Sequence, residues 1–197
     1  MNTVFSRLEI QDNISEMRTD WTLAKTPYLT GYGFPDGIML VGPLSRSFLD
    51  HGFMGDPEVQ KFKLADFVAD RRNLKLDSYD ICRLLEIFWA ARQIRTFVKS
   101  VDPDDAGEDV ETNVSGKGIG VLEAPRGVLV HSYLVNRGLI DKVNLLVATQ
   151  FNNAYINILI TDMVQNHIDS GRVTARGEYL VGRCIRLMDP CLSCATH

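Results

Sequence analysis

The sequence has little cysteine. Four thiols in 197 residues are too sparse to staple a small secreted scaffold. It has no apolar run long enough to span a membrane, and no charged-then-apolar leader begins at Met1-Asn2-Thr3-Val4-Phe5. It has no basic excess either. Twenty-one Lys and Arg face 25 Asp and Glu, for a net charge of −4. That balance lacks the electrostatic footprint of a nucleic-acid binder. No internal repeat or low-complexity tract is present. What is left is a single unit, residues 1–197, long enough to bury a core. Its expected location is the cytoplasm, with no direct membrane insertion.

The tail is the densest chemistry in the chain. Asp189-Pro190-Cys191-Leu192-Ser193-Cys194-Ala195-Thr196-His197 holds two thiols, a carboxylate and an imidazole. Thiolates suit soft metals, and imidazole and oxygen suit harder ones. The Cys-x-x-Cys spacing alone fits a redox dithiol, half of a zinc site, or two buried thiols. Context narrows this. Thioredoxin-like dithiols open a helix after a strand, whereas this pair follows a helix-like run, Tyr179 to Met188, and a break at Pro190. No second Cys-x-x-Cys completes a zinc site. Cys82 and Cys184 stand alone in helical patterns and read as small buried hydrophobes.

The rest reads as mostly α with a small β hairpin, an α+β chain. Residues 1–58 are turn-rich, with Gly31, Gly33, Pro35 and Gly37 as punctuation and Ile38 to Val41 as a short buried strand. Residues near 59–100 are helical. Asp77-Ser78 is the cap, and Ile81, Leu84, Leu85, Phe88, Ala91, Ile94, Arg95 and Val98 trace a mostly core face. The acidic run from Asp102 to Asp109 reads as a solvated loop. Gly127 to Val135 and Leu139 to Val147 form a hairpin about Asn136-Arg137-Gly138. An antiparallel pair would bring Arg126 and Thr149 close. A helix from Asn153 to Ser170 stops at Gly171, and His167 on its border reads as a packed histidine. Arg183 and Arg186 on the last helix read as exposed or as ion-pair partners.

The tail motif, Asp-Pro-Cys-x-x-Cys-x-x-His, resembles the mature C-terminus of the large subunit of nickel-iron hydrogenases. Three further stretches match that family in the family's order. They are Glu123-Ala124-Pro125-Arg126-Gly127 with His131 beyond it, Asn144-Leu145-Leu146-Val147-Ala148-Thr149-Gln150-Phe151-Asn152-Asn153, and, more weakly, Gly42-Pro43-Leu44-Ser45-Arg46. The Glu123-to-Gly127 and Asn144-to-Asn153 stretches most resemble methanogen-type cytosolic hydrogenases. The resemblance implies a large-subunit-like fold that is incomplete without a partner chain. It also implies an oxidoreductase that cleaves or forms H2.

It further implies roles for residues. Cys191 is a terminal nickel ligand and Cys194 bridges nickel and iron. The iron carries carbon monoxide and cyanide. Arg126 and Thr149 are donors to cyanide, and Pro125 and Ala148 line the apolar side. Taken without the resemblance, Arg126 reads as a buried salt-bridge residue paired with Glu123 or Asp189. Asp189 would hold the charge and orientation of Arg126. The Cys191 thiolate is the preferred proton acceptor, because a guanidinium is a poor base. His197 would join a partner carboxylate and a backbone carbonyl near Leu145 around a magnesium or iron ion. Its plain reading is a terminal histidine.

One departure sets the expectations for partners. The family holds nickel with four cysteines, two of them in an N-terminal Arg-x-Cys-x-x-Cys that this chain lacks. The chain, which starts with Met1, therefore resembles the C-terminal half of a split large subunit. Its partner should be an N-terminal half bearing Arg-x-Cys-x-x-Cys. Iron-sulfur clusters belong on a small subunit, because no cysteines are left here to hold one. Flavin or heterodisulfide-reductase-type subunits would carry electrons further. Two other readings stand beside this one. The first is a scaffold or assembly protein derived from such a large chain, against which the retained Cys191 and Cys194 argue. The second is a Cys-x-x-Cys dithiol redox module.

Overall fold

The computed structural model describes residues 5–6, 9–49, 52–63, 76–102 and 111–196. In chain order the main elements are β1 (Ile14–Thr19), β2 (Thr22–Leu29), α1 (Leu76–Phe97), β3 (Gly116–Ala124), β4 (Gly127–Asn136), β5 (Leu139–Leu146), α2 (Ala148–Gln165), β6 (Ile168–Asp169), β7 (Arg172–Val173) and α3 (Ala175–Met188). Single helical turns lie at Ile10–Asn13, Pro43–Arg46, Pro57–Gln60 and Leu192–Ala195. The α+β class is as expected, with more sheet than one hairpin. The expected hairpin is β4–β5, and β3 adds a third strand in the order β3-β4-β5. Glycines at 116, 118 and 120 weaken the strand signal of β3. Continuous antiparallel pairing from Gly116↔Val135 to Ala124↔Gly127 supplies what propensity lacks. β1 and β2 form another antiparallel pair that the turn-rich composition concealed.

The chain groups into two compact units: Met1–Gly42 with Gly116–Val135 and Ile140–His197, and Pro43–Ser115 with Asn136–Leu139. In the first, Val130, Leu146 and Phe151 are buried together, with Ile10, Ile14, Met39, Val41 and Val128 packed against them. Phe151 is buried on α2, so Phe151→Ala should cost roughly 3–5 kcal/mol of stability by denaturant titration. Ile38 to Val41 is not a strand. Ile38 makes one bridge to Tyr28, and the Val41 N–H is taken by the Asn152 side chain.

Helix boundaries shift for local reasons. α2 starts at Ala148, five residues before Asn153. The Gln150 side chain accepts the Val147 N–H at 2.8 Å, which satisfies one donor at a helix start whose cap residue, valine, has no acceptor of its own. α2 ends at Gln165. Gly171 is not its stop. It sits at φ +76° in the β6–β7 turn, after Ser170 at +50°, a conformation that glycine adopts freely. α3 starts four residues before Tyr179. Thr174 caps it by accepting the Gly177 N–H at 3.2 Å, a contact worth about 1 kcal/mol. Asp189, in the left-handed region, closes α3 ahead of Pro190.

In the second unit, α1 buries Ser78, Tyr79, Cys82 and Leu85. The turns that carry Leu44, Phe53 and Val59 pack on it. Arg46 forks onto Glu86, with Nε–Oε1 2.6 Å and Nη2–Oε2 2.7 Å. The expected core stripe is therefore corrected. Leu84 is 64% exposed, and Ile94 and Val98 are similarly open. Apolar residues occur around most of α1, so periodicity could not single out its buried row. Asp77 lies inside the first turn, not before it. Of the acidic break, residues 103–109 lie outside the described residues.

Candidate metal centre

Arg126 owes its position to a tight hairpin. β3 ends at Ala124 and β4 begins at Gly127, so Pro125-Arg126 is the two-residue turn between them. The guanidinium reaches the end of α3. Its Nε donates to the Asp189 carbonyl at 2.6 Å, and Nη2 pairs with Asp189 Oδ2 at 2.7 Å. A carboxylate at a helix C-terminus opposes the helix dipole. Arg126 offsets that charge and also satisfies a carbonyl that the ending helix leaves unpaired. The ion pair is one the residues suggested, but it is not buried: the two side chains are 43% and 52% exposed. An exposed pair contributes only ~0.2–1 kcal/mol. Its main effect is to orient the guanidinium.

Two residues past Asp189, the Cys191 N–H donates to the Thr149 hydroxyl at 2.9 Å. Thr149 is buried in the first turn of α2. A hydroxyl that accepts one N–H keeps its own proton to donate. Cys191 caps the helical turn Leu192–Ala195 and Cys194 lies within it, and the two are joined as a disulfide, Cα–Cα 5.3 Å. In that form neither sulfur is a thiolate ligand. Two-electron reduction yields two soft donors at one place, the arrangement of a chelate. The described residues contain no cluster of three or more His, Cys, Asp or Glu placed to hold a metal ion. The donor set therefore fits half of a thiolate site.

Arg126 is thus bonded to Asp189 and Cys191 to Thr149, the two pairs are joined along the chain through Pro190, and Cys194 is tied on through its sulfur. Pro125 and Ala148 enter as chain neighbours of Arg126 and Thr149, the first exposed and the second buried. Leu145 lines a separate cleft of about 610 Å³ with Glu16, Asp20, Gln150 and Ala195. His197 lies outside the described residues. Cys82 and Cys184 are buried free thiols, and burial raises both above the usual thiol range. After mild reduction, alkylation of the native protein should modify Cys191 and Cys194 at least about tenfold faster than Cys82 and Cys184. Mass spectrometry reads the rates, and equal rates would contradict the burial.

One further residue touches this set without a role that its sequence neighbours suggest. Asn152, buried on α2, bonds to the backbone of both Val41 and Arg126. Its place inside the Asn144-to-Asn153 stretch was its only signal.

Known proteins resemble this chain in sequence and in fold. The family model described as nickel-dependent hydrogenase matches residues 15–197. One chain of the F420-non-reducing hydrogenase of Methanothermobacter marburgensis is 33% identical over 201 residues, covering 98% of this chain and 42% of that protein. The NAD-reducing hydrogenase HoxS subunit beta of Cupriavidus necator is 32% identical over 196 residues, covering 94% and 39%. The crystal structure of an NAD+-reducing NiFe-hydrogenase in the H2-reduced state superposes with a TM-score of 0.83 at 30% identity, over 98% of this chain and 43% of that one. The chain spans about two fifths of the length of these curated relatives.

Proposed function

The chain belongs to the nickel-dependent hydrogenase family, and we propose that it is the catalytic C-terminal half of a nickel-iron hydrogenase large subunit. The observation that carries this reading is the linked set: Arg126 on Asp189, Cys191 on Thr149, and two cysteine sulfurs together at one edge of them. Reduced Cys191 and Cys194 would hold nickel, with Cys194 also reaching iron. When bound, the nickel-iron centre, its iron bearing carbon monoxide and cyanide, supplies heterolytic cleavage of H2.

This chain's residues then have definite tasks. The Cys191 sulfur takes the proton, because a thiolate is a far better base than the Arg126 guanidinium. Asp189 keeps the Arg126 guanidinium aimed. The guanidinium and the Thr149 hydroxyl donate hydrogen bonds toward cyanide, and Pro125 and Ala148 keep water from the apolar side. Two more thiolates come from an Arg-x-Cys-x-x-Cys segment outside these 197 residues, on the partner polypeptide. His197 and the carbonyl near Leu145 take a magnesium or iron ion with a partner carboxylate. Electrons leave through iron-sulfur clusters of a small subunit, then through flavin or heterodisulfide-reductase-type subunits. No helix among the described residues is long and apolar enough to cross a membrane, and the complex is proposed to work in the cytoplasm.

H2-dependent dye reduction, read together with the infrared bands of the iron's diatomic ligands, tests this reading in the purified complex. Both are expected, and the absence of both would contradict it. A sharper test is Arg126→Lys. Lysine keeps the charge but loses the planar fork. Nickel content should stay parental while turnover per nickel falls at least about tenfold. Parental turnover would make Arg126 a structural ion-pair residue.

The Cys191–Cys194 disulfide supports a second reading, a dithiol redox module. That reading needs no metal, so a nickel-free complex with reversible two-electron thiol chemistry would favour it.

A further inference from the structure

Asn152 is 3% exposed, and its amide is used at both ends. Oδ1 accepts the Val41 N–H at 2.9 Å, and Nδ2 donates to the Arg126 carbonyl at 3.3 Å. The two partners fix which way the amide points, since one can only donate and the other can only accept. The partners are 111 and 26 residues away in sequence. Flanking glycines let these backbones close up. Gly42 has φ +116°, and a Cβ there would lie 2.9 Å from the Arg126 carbonyl oxygen. Gly127 has φ +136°, and a Cβ there would overlap the Val41 side chain.

We infer that Asn152 is a positioning residue that sets where the Arg126 guanidinium stands relative to Cys191. This rests on the hydrogenase reading above. The contacts close a ring. Asn152 holds the Arg126 backbone, and the Arg126 side chain holds Asp189. Asp189 leads through Pro190 to Cys191, whose N–H is held by Thr149. Thr149 lies three residues before Asn152 on α2, so one helix start anchors both the arginine and the cysteine. Asparagine is the side chain that the ring requires. Aspartate keeps the bond to Val41 but sets a carboxylate oxygen against the Arg126 carbonyl. Alanine leaves both backbone groups without the amide.

The test uses the whole complex carrying Asn152→Asp or Asn152→Ala. Nickel content, kcat per nickel, KM for H2 and the infrared bands of the diatomic ligands are measured. Parental nickel content is expected, with KM within about twofold, kcat per nickel lowered about tenfold and shifted bands. A merely structural residue would lower the yield of complex but leave kcat per nickel and the bands unmoved. That result, or loss of the complex in both variants, overturns the inference. Combining Asn152→Asp with Arg126→Lys should cost no more per nickel than Arg126→Lys alone. A further multiplicative loss would show that Asn152 does not act through Arg126. A parental complex without nickel or diatomic bands defeats the hydrogenase reading itself, and that control is read before any variant.

Discussion

Cys191→Ser is expected to abolish H2-dependent dye reduction by the complex, and Cys194→Ser is expected to do the same. A serine hydroxyl is a hard, weakly acidic donor where a soft thiolate is needed. Each substitution removes one of only two thiols that this chain brings to the site, since Cys82 and Cys184 are buried elsewhere as free thiols. Metal affinity built from deprotonated sulfur falls steeply when one sulfur is lost. Nickel in either variant should drop to roughly a tenth of the parental content or less. The backbone contact from Cys191 N–H to Thr149 does not involve the sulfur, so the fold survives. Circular dichroism should be parental. Full nickel content and parental turnover in both variants would remove these cysteines from the site.

The second large effect concerns the chain by itself. Expressed without partners, it should bind no nickel tightly, turn over no H2, and self-associate. The first two expectations follow from a site with two thiolates. The third follows from its surface. α1 exposes Leu84, Ile87, Ile94 and Phe97, the last at 67%. A contiguous apolar face of this kind drives association in water. With the partner present, it should be covered by a large, core-like interface against the partner's helices. Size-exclusion chromatography and metal analysis of the isolated chain give the answer. A monodisperse monomer that binds nickel tightly and splits H2 unaided would refute the proposal.

The linked site was unevenly legible in the sequence. The tail motif sits in nine consecutive residues, so its donor groups could be listed from the sequence, while the Cys-x-x-Cys spacing alone left three chemistries open. β4 and β5 showed as a β-branched and aromatic run, Gly127 to Val135, and a returning run, Leu139 to Val147, about Asn136-Arg137-Gly138. β3 did not, because its glycines carry no pattern and its pairing to β4 is a tertiary fact. That strand matters, since it makes Pro125-Arg126 a hairpin tip and so aims the arginine at Asp189. On α1, Ser78 is buried while Leu84 is open, an inversion that periodicity cannot reveal. Asn152 was invisible as an actor because both its partners are remote in sequence. Polar clamps of this kind are written in backbone geometry and not in local pattern.

X-ray absorption at the nickel edge of the purified complex shows whether two polypeptides share one thiolate site. Sulfur neighbours are counted in the parental protein after reduction and set beside the sequences of the co-purifying chains. Four sulfurs are expected at nickel, two from Cys191 and Cys194 and two from a partner Cys-x-x-Cys. Nickel with no sulfur neighbours, or a pure complex with no nickel, would contradict it.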